Sequence, residues 1–537
     1  MRLSPSAHTD TFCRDHLPPA EQWPDLRFTL PELHYPGRLN CAEELLDATV
    51  ARFGPDRPCL RTASGTWTYG EVLRRANQVA QVLTGDFGLV PGNRVLLRGP
   101  NNPWLVAAWF GVLKAGGVAV TTMPLLRARE ITALAELTGP DLAVCDDRFA
   151  SELTAAVPGL PAVYYGDSGD LASRCAGKSG DFPAVATAAD DVAILAPTSG
   201  TTGKPKATMH FHRDLLAIDD TFGRHVLAAE PADVFAGTPP LGFTFGLGGL
   251  AVFPFRIGAS VLLLERASPA DLAEAIAEHQ VTALFTAPTM YRALLATGKI
   301  RELNGLRRCV SAGEHLPAPV WEDFRRETGT RIIDGLGATE LLHIFISAAG
   351  EAIRPGATGV PVPGYEAAVL GGDLSPVPDG TPGRLAVRGP TGCRYLADDR
   401  QRSYVADGWN LTGDTYIRDG DGYYWYQART DDMIISSGYN IAGPEVEQAL
   451  LTHPDVLEAG VVGAPDPERG TIVKAYVVLR ENVTAGPAKA AELQAFAKQV
   501  IAPYKYPRAI EFLDALPRTE SGKMQRYRLR QLAAAQR

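Results

Sequence analysis

A stretch rich in hydroxyl, glycine and lysine residues, 197–206, combines the residue types that bind phosphate. It follows an apolar run, 192–196, that predicts a buried strand. Glycine lets the backbone come close to a ligand, and successive backbone N–H groups in a turn form a concavity for anions. The hydroxyls add donors and the lysines add positive charge. The stretch therefore predicts a polyphosphate site, and the alternative is a flexible surface turn.

The spacing of its glycines excludes the Walker A type of phosphate loop. That pattern places four residues between its first glycine and a Gly-Lys-Ser/Thr triplet. Here Gly200 and Gly203 are separated only by two threonines, and Pro205 follows Lys204. A polyphosphate bound here would need a different kind of turn.

A second group of small and oxygen-bearing residues, 334–340, follows a strand predicted at 331–333. Its glycines permit close backbone approach to a flat ligand such as adenine. Thr339 and Glu340 then offer a hydroxyl and a carboxylate, which suit phosphate and Mg²⁺, a cation that prefers oxygen ligands. The alternative is an ordinary turn that ends in an exposed glutamate.

Two further motifs carry groups that suit nucleotide chemistry. Residues 412–414 read Thr-Gly-Asp, and the carboxylate of Asp414 can accept hydrogen bonds from both hydroxyls of a ribose, although such a triplet is also a common turn. Residues 517–523 end in Lys523, and several arginines follow. A run of cations is usually a solvated face, but a lysine can also stabilise charge that develops in a transition state.

Strand and helix patterns alternate around these motifs. Such alternation indicates a parallel α/β sheet covered on both faces. The sequence predicts strands at 94–97, 117–120, 142–144, 260–264, 283–286 and 308–311, and helices at 71–83, 104–114, 214–227, 271–279 and 290–296.

The chain changes character outside this region. Residues 1–45 are rich in proline and predict an extended segment that lies over the first domain, whereas 364–388 predict a small β-rich subdomain. Beyond a boundary near residue 430, the patterns predict a compact α+β unit. Its helices are expected at 444–451 and 490–501 and its strands at 457–463 and 474–479. We therefore divide the chain into domains 1–430 and 431–537.

The composition bounds the classes of function. A chain of 537 residues exceeds the roughly 250–300 residues that one core supports, so at least two domains are expected. The net charge of −9 gives no reason to expect nucleic-acid binding. Seven scattered cysteines without a Cys-x-x-Cys pair indicate reduced thiols. No secretory signal is evident, and the apolar stretch 243–264 is interrupted by Pro254 and Arg256, so we expect a cytoplasmic protein with no membrane partner.

The order of the motifs resembles that of the adenylate-forming superfamily, which includes acyl-CoA synthetases, nonribosomal adenylation domains and firefly luciferase. Residues 199–206 look like its phosphate loop, and the Gly-x-Thr-Glu segment, Asp414, loop 436–441 and the C-terminal Thr-x-Ser-Gly-Lys segment follow in its order. The resemblance covers essentially the whole chain. It implies a large N-terminal adenylate-forming domain, made of α/β subdomains and a small β-rich subdomain, with a small mobile α+β C-terminal domain.

The resemblance also implies the roles of the motif residues. Thr339 would contact the α-phosphate, Glu340 would hold Mg²⁺, and Lys523 would neutralise charge as a carboxylate oxygen attacks the α-phosphate. Asp414 would bind the ribose with help from Arg429. The residues implied to bind ATP or AMP are Thr198, Ser199, Gly200, Thr201, Thr202, Gly203, Lys206, Gly313, Glu314, Asp334, Gly335, Leu336, Gly337, Asp414 and Arg429.

A pocket for the acid and a tunnel for CoA follow from the same resemblance. The implied acid pocket comprises Phe243, Thr244, Phe245, Gly246, Ala312, His343 and Ile344. The two phenylalanines suit a flat ring or simply fill the core, and His343 meets a ring substituent or carboxylate or is a structural histidine. Rotation about a hinge at Asp431 would exchange Lys523 for a loop that lines the CoA tunnel, with Ser437, Gly438 and Tyr439.

Segments 40–45, 339–345 and 425–445 look like those of benzoate-CoA ligases, and of 2-aminobenzoate (anthranilate)-CoA ligases in particular. The implied reaction joins an aromatic acid to CoA through an acyl-adenylate and releases AMP and pyrophosphate, with ATP, CoA and Mg²⁺ required. The enzyme would be a monomer or homodimer. A ligase for benzoate or another substituted benzoate, or an enzyme that loads a carrier protein, stays open. A catalytically dead binding protein would be expected to lack Lys523 or Glu340, and both are present.

Overall fold

The protein is described here by a computed structural model that covers residues 3–199, 205–429, 432–436, 439–466, 470–501, 505–519 and 523–535. The strands are β1 Pro58–Thr62, β2 Gly65–Thr68, β3 Arg94–Arg98, β4 Val118–Thr122, β5 Leu142–Asp146, β6 Ala162–Tyr165, β7 Val192–Ser199, β8 Pro205–Phe211, β9 Val234–Gly237, β10 Ser260–Leu262, β11 Ala283–Thr286, β12 Arg308–Ala312, β13 Ile332–Gly337, β14 Ile344–Ser347, β15 Val360–Pro361, β16 Glu366–Leu370, β17 Gly383–Arg388, β18 Val405–Ala406, β19 Trp409–Arg418, β20 Tyr424–Arg429, β21 Ile434–Ser436, β22 Tyr439–Ile441, β23 Val456–Asp466, β24 Gly470–Leu479 and β25 Ala509–Phe512.

Short and medium helices connect these strands. The α-helices are α1 Phe12–Asp15, α2 Ala48–Phe53, α3 Tyr69–Gln81, α4 Pro103–Lys114, α5 Ala128–Thr138, α6 Ala150–Ala156, α7 Leu171–Ala176, α8 His212–Ile218, α9 Thr244–Leu247, α10 Phe253–Ile257, α11 Pro269–Glu278, α12 Pro288–Ala296, α13 Ala318–Thr328, α14 Gln401–Tyr404, α15 Gly443–Leu451, α16 Pro487–Val500 and α17 Arg526–Ala535. Wider π-helical turns occupy Glu43–Asp47, Val82–Asp86, Asp219–Leu227 and Gly248–Val252.

Two large sheets form the first part of the molecule. One has six strands in the order β6-β5-β3-β4-β7-β8, and the other has nine in the order β15-β14-β13-β12-β11-β9-β10-β1-β2. The neighbours within β6-β5-β3-β4-β7 are parallel, as the alternation of strands and helices predicts. Helices cover the sheets and bury several apolar clusters, the most extended of which contacts both sheets.

Helix starts agree with local sequence signals. Thr68 and Glu71 form a capping box at the start of α3, where each side chain bonds the other residue's backbone N–H. The Asn102 side chain accepts from Leu105 N at 3.0 Å at the start of α4, and Pro103 occupies the first helical position. These caps explain why both helices begin slightly before their apolar periodicity does.

The antiparallel strand β8 was not predicted. It pairs with β7, so Thr198 lies opposite Lys206 and Ser199 opposite Pro205. Residues 200–204, the centre of the predicted phosphate stretch, lie outside the described residues. The two described ends of the predicted phosphate stretch therefore lie in paired antiparallel strands, β7 and β8.

The predicted β-rich subdomain is present as a five-stranded sheet of β16–β20 with antiparallel pairing. Beyond it, β23, β24 and β25 form a three-stranded sheet, and β21 pairs with β22. Apolar clusters that contain Val461 and Tyr476 pack this C-terminal unit internally. The predicted boundary residues 430 and 431 lie outside the described residues, so the division at that point stays a prediction.

The N-terminal segment contains few regular elements and is held by polar contacts, as expected for an extended segment. The Ala7 backbone N–H donates to Asp191 Oδ2 at 2.9 Å, and the Tyr35 hydroxyl donates to Asp220 Oδ2 at 2.8 Å. All seven cysteines are buried and unpaired. Within the described ranges, every helix is too short or too polar to cross a bilayer.

Candidate active site

One large cavity brings most of the predicted site residues together. Its volume is about 3280 Å³, and its walls come from the two large sheets, the five-stranded sheet and the C-terminal unit. Residues from β4, β13 and β19 meet a group from the C-terminal unit there, which comprises Arg518, Thr519, Lys523, Gln525, Tyr527 and Arg528. The separate sequence motifs therefore belong to one site.

Lys206 and Glu340 face each other in the wall of this cavity. Lys206 Nζ donates to Glu340 Oε1 at 2.7 Å, and both groups also bond the Tyr395 hydroxyl. Burial opposes ionisation of Glu340, but the charge and hydrogen bond of Lys206 outweigh it and lower the pKa of the carboxyl. The Glu340 carboxyl is therefore ionised at neutral pH.

Tyr395 was not predicted from the sequence. Besides its hydroxyl bonds, its ring lies 4.4 Å from Lys206 Nζ, a cation–π contact that holds the ammonium over the ring. The surrounding segment contains no phosphate-binding pattern and lies far along the chain from Lys206. Its contribution depends on tertiary contacts alone.

A network of buried polar side chains holds the backbone of Thr339 in place. Its carbonyl accepts from His210 Nε2 at 2.8 Å, and His210 Nδ1 lies 3.8 Å from Asp214 Oδ2. Arg394 forms a close ion pair with Asp214, and both side chains are fully buried. Since a buried charge needs a partner, this chain restrains the backbone that presents Thr339 to the cavity.

Asp334, Leu336 and Gly337 line the cavity at the end of β13. Close packing also requires the glycines there. A Cβ on Gly335 would lie 2.6 Å from Ile344 Cδ1, and one on Gly337 would lie 2.9 Å from the His343 carbonyl oxygen. Only glycine leaves room for His343 and Ile344 to pack this closely against β13. Burial raises the pKa of the Asp334 carboxyl well above its usual range.

Asp414 and Arg429 occupy the predicted ribose position together. They are directly paired across β19 and β20, and Arg429 Nη1 donates to Asp414 Oδ1 at 3.1 Å. Burial raises the pKa of Asp414, while Arg429 opposes the shift. A carboxylate so placed at the cavity wall has an oxygen available to hydroxyl donors.

Lys523 reaches the N-terminal body from the C-terminal unit. It stands beside Gly313, where an added Cβ would lie 3.5 Å from Lys523 Cε. Its side chain is accessible inside the cavity, but the walls displace bulk water and lower the pKa of the ammonium, against the attraction of Glu314. The arrangement places a cation of the C-terminal unit in the cavity that residues of the N-terminal body also line.

The predicted acid pocket lines the same cavity through Phe243, Thr244, Phe245, Ala312, His343 and Ile344. Gly246 lies behind the wall, where a Cβ would come 2.1 Å from the Pro240 carbonyl oxygen, so its role is close packing. The two phenylalanines are half-buried and face the cavity.

His343 lies within an aromatic cage. Its ring centroid is 4.7 Å from that of Phe253, 5.5 Å from Phe222 and 5.8 Å from Phe245. Burial lowers its pKa to about 3, so the imidazole is neutral. Neither ring nitrogen has a hydrogen-bond partner in the described part of the chain. Leu342 has a φ of 73°, so the backbone turns sharply just before His343.

The predicted tunnel and hinge residues are described only in part. Ser437, Gly438 and Asp431 lie outside the described residues. The backbone of Tyr439 pairs with Ser436 between β22 and β21. The roles assigned to these residues stay predictions.

Two family models match the chain. The AMP-binding enzyme model matches residues 46–395, and the AMP-binding enzyme C-terminal domain model matches residues 445–523. The chain belongs to the AMP-binding enzyme family. Three of the five motifs of this AMP-binding enzyme lie within the matched ranges, whereas Asp414 and loop 436–441 lie between them. The two matched parts correspond to the large and small parts of the fold.

Relatives of this AMP-binding enzyme cover almost its whole length. The benzoate–CoA ligase of Thauera aromatica is 34% identical over 94% of this chain and 98% of its own. The anthranilate CoA ligase AuaEII, solved with anthranoyl-AMP, matches with a TM-score of 0.89 and 32% identity over 94% of this chain and 99% of its own. A benzoate CoA ligase from Burkholderia xenovorans LB400 matches with a TM-score of 0.85 and 31% identity over 92% of this chain and all of its own.

These similarities place the AMP-binding enzyme in the benzoate-CoA ligase group of the adenylate-forming superfamily. It is an AMP-forming CoA ligase, with ATP and CoA as substrates. The predicted fold class is confirmed.

Proposed function

We propose that this ligase activates an aromatic acid and that 2-aminobenzoate is its preferred substrate. The observation that carries the proposal is His343, a cavity-lining imidazole that burial keeps neutral among three phenylalanines. The aromatic walls suit a flat ring, and an imidazole in the wall offers a polar contact to a ring substituent. The similarity to benzoate and anthranilate CoA ligases supports the same substrate class.

The chemistry would run in two half-reactions. The acid carboxylate attacks the α-phosphate of ATP, forming an acyl-adenylate and releasing pyrophosphate, while Lys523 stabilises the charge that develops on the phosphate. The CoA thiol then attacks the acyl carbon and AMP leaves. Thr339 would contact the α-phosphate, and Asp414 with Arg429 would hold the ribose. Exclusion of water from the site would protect the adenylate from hydrolysis.

Glu340 fits the predicted Mg²⁺. Lys206 and Tyr395 hold its carboxyl in the ionised form beside the phosphate stretch, and Mg²⁺ is usually bound by one or two carboxylates together with substrate phosphates. When bound there, the ion would neutralise phosphate charge. We further propose that the C-terminal unit, starting near residue 431, rotates about Asp431 between the half-reactions and brings the loop of Ser437, Gly438 and Tyr439 to line the CoA tunnel.

A substrate panel tests the proposal. AMP and acyl-CoA formation would be measured with benzoate, 2-aminobenzoate, salicylate, 4-hydroxybenzoate and octanoate, each with and without CoA. We expect the highest kcat/KM for 2-aminobenzoate and CoA-dependent product. A preference for benzoate or a hydroxybenzoate would replace the named substrate. Adenylate formed without any CoA product would point to a carrier-protein acceptor.

The role of His343 is tested by His343→Phe, which keeps a ring, and His343→Gln, which keeps polar atoms. Because a neutral hydrogen bond contributes about 0.5–1.5 kcal/mol, we expect His343→Phe to lower kcat/KM for 2-aminobenzoate by up to about 10-fold relative to benzoate. His343→Gln should retain more of the preference. An equal loss with both acids would remove His343 as a specificity residue.

A further inference from the structure

Arg518 ties the loop that carries Lys523 to the N-terminal body. Its Nη1 lies 3.5 Å from Glu314 Oε1, and its Nη2 donates to Glu458 Oε2 at 2.7 Å. Glu314 directly follows Gly313, the residue beside Lys523. The guanidinium and the lysine therefore reach the same short segment from one loop.

Hydrogen bonds join the segment of Arg518 and Thr519 to the segment that begins at Lys523. Thr519 N donates to the Lys523 carbonyl at 2.7 Å, and Gln525 N donates to the Pro517 carbonyl at 2.8 Å. The Lys523 backbone N–H also donates to Thr519 Oγ1 at 3.1 Å. Since these bonds fix the ends of the loop relative to one another, displacement of Arg518 would displace Lys523.

The pair with Glu314 is sheltered from solvent. The Arg518 side chain is 24% exposed and that of Glu314 is 19% exposed. Burial raises the pKa of the Glu314 carboxyl, and the Arg518 guanidinium at 3.5 Å opposes that shift more than the Met524 backbone, Lys523 or Arg292 does. Opposite charges at such a partly buried position attract one another more strongly than surface charges do. Glu458 belongs to β23 and moves with Arg518, whereas Glu314 belongs to the opposite wall.

We propose that Arg518 is a positioning residue for adenylate formation: through Glu314 it holds Lys523 at the α-phosphate position during the first half-reaction only. If the C-terminal unit rotates between half-reactions, the contact with Glu314 breaks and the contact with Glu458 remains. The inference rests on the proposed roles of Lys523 and of domain rotation, and it does not depend on which aromatic acid is used.

The test separates the two half-reactions in Arg518→Gln, Glu314→Gln and the double variant. Adenylation would be followed as acid-dependent pyrophosphate release, and thioester formation from acyl-adenylate supplied together with CoA, with whichever acid the wild-type enzyme turns over. Because a small misplacement of a catalytic group can cost about 100-fold, we expect a 10- to 100-fold fall in kcat for adenylation, with a smaller change in the KM for ATP. Thioester formation should be within about twofold of wild type.

The double variant should lose no more than the more affected single variant, because the two substitutions remove one interaction. Lys489→Gln, which removes a pair with Asp455 on the same unit, is the matched control and should leave both half-reactions unchanged. Equal loss of both half-reactions in folded Arg518→Gln would overturn the positioning role, as would fully additive losses in the double variant. Failure of Lys523→Ala to affect adenylation, with Arg518→Gln also inactive, would instead overturn the role of Lys523.

Discussion

Arg429 Nη1 donates to Asp414 Oδ1 at 3.1 Å, and the two residues are direct partners across β19 and β20. The sequence places them on either side of a single hairpin, and antiparallel pairing brings them side by side at the cavity wall. The arginine opposes the effect of burial on the carboxyl. The pair therefore presents a restrained carboxylate to the cavity, which is the property that recognition of a ribose requires.

Replacing Asp414 by Asn should weaken the use of ATP more than that of the acid. A hydrogen bond to a charged group contributes about 1.5–3 kcal/mol, so kcat/KM for ATP should fall by about 10- to 100-fold. Steady-state kinetics with ATP and acid varied separately would measure this. Asp379→Asn, which alters a more exposed pair with Arg418, is the control. An unchanged kcat/KM for ATP would rule out ribose binding by Asp414.

Lys206→Met should destabilise the fold through Glu340. It leaves the carboxyl buried without its ammonium partner, and breaking such a pair costs about 3–5 kcal/mol. The double variant Lys206→Met with Glu340→Gln should melt at a higher temperature than Lys206→Met alone, because no charge is then left unpaired. Thermal unfolding of both variants checks the order, with Lys299→Met at an exposed pair as control. The opposite order would contradict the pairing.

The sequence predicts local elements well and tertiary partners poorly. The strand at 283–286 is found with those bounds, and the helix at 104–114 begins one residue earlier, because apolar periodicity reports each element's buried face. Strand β8 was not predicted because its buried positions include Thr208 and His210, which break the apolar pattern. The contacts of Tyr395 and Arg518 were not predicted because their partners lie in distant segments of the sequence.

Asp219 should make stability depend on pH. Burial, with repulsion from Asp220, raises its pKa from 3.8 to about 8, although Arg256 opposes the shift. Between these two pH values the folded protein keeps a proton on Asp219 that the unfolded chain has lost. The contribution of Asp219 to the free energy of unfolding is therefore full below pH 3.8 and is lost as the pH rises through about 8. Asp219→Asn should flatten the fall in Tm between pH 5 and about 8. Asp323→Asn, on the surface, should not, and identical profiles for Asp219→Asn and wild type would refute the shift.

Lys523→Ala should separate the half-reactions. The lysine enters the cavity beside Gly313, and it is one of three cations, with Arg518 and Arg528, that the described part of the C-terminal unit contributes to the cavity wall. Removing a group that stabilises developing charge costs about 100- to 1000-fold in kcat, so pyrophosphate release should fall by that factor.

Thioester formation from supplied acyl-adenylate and CoA should continue in Lys523→Ala, because the thiol's attack on the acyl carbon follows pyrophosphate release and needs no charge neutralised at the attacking carboxylate. Lys498→Ala, on the surface of the same unit, serves as control. If a folded Lys523→Ala lost both half-reactions to the same extent, the lysine would be required for binding or domain placement, since a residue specific to phosphate chemistry affects only the first step.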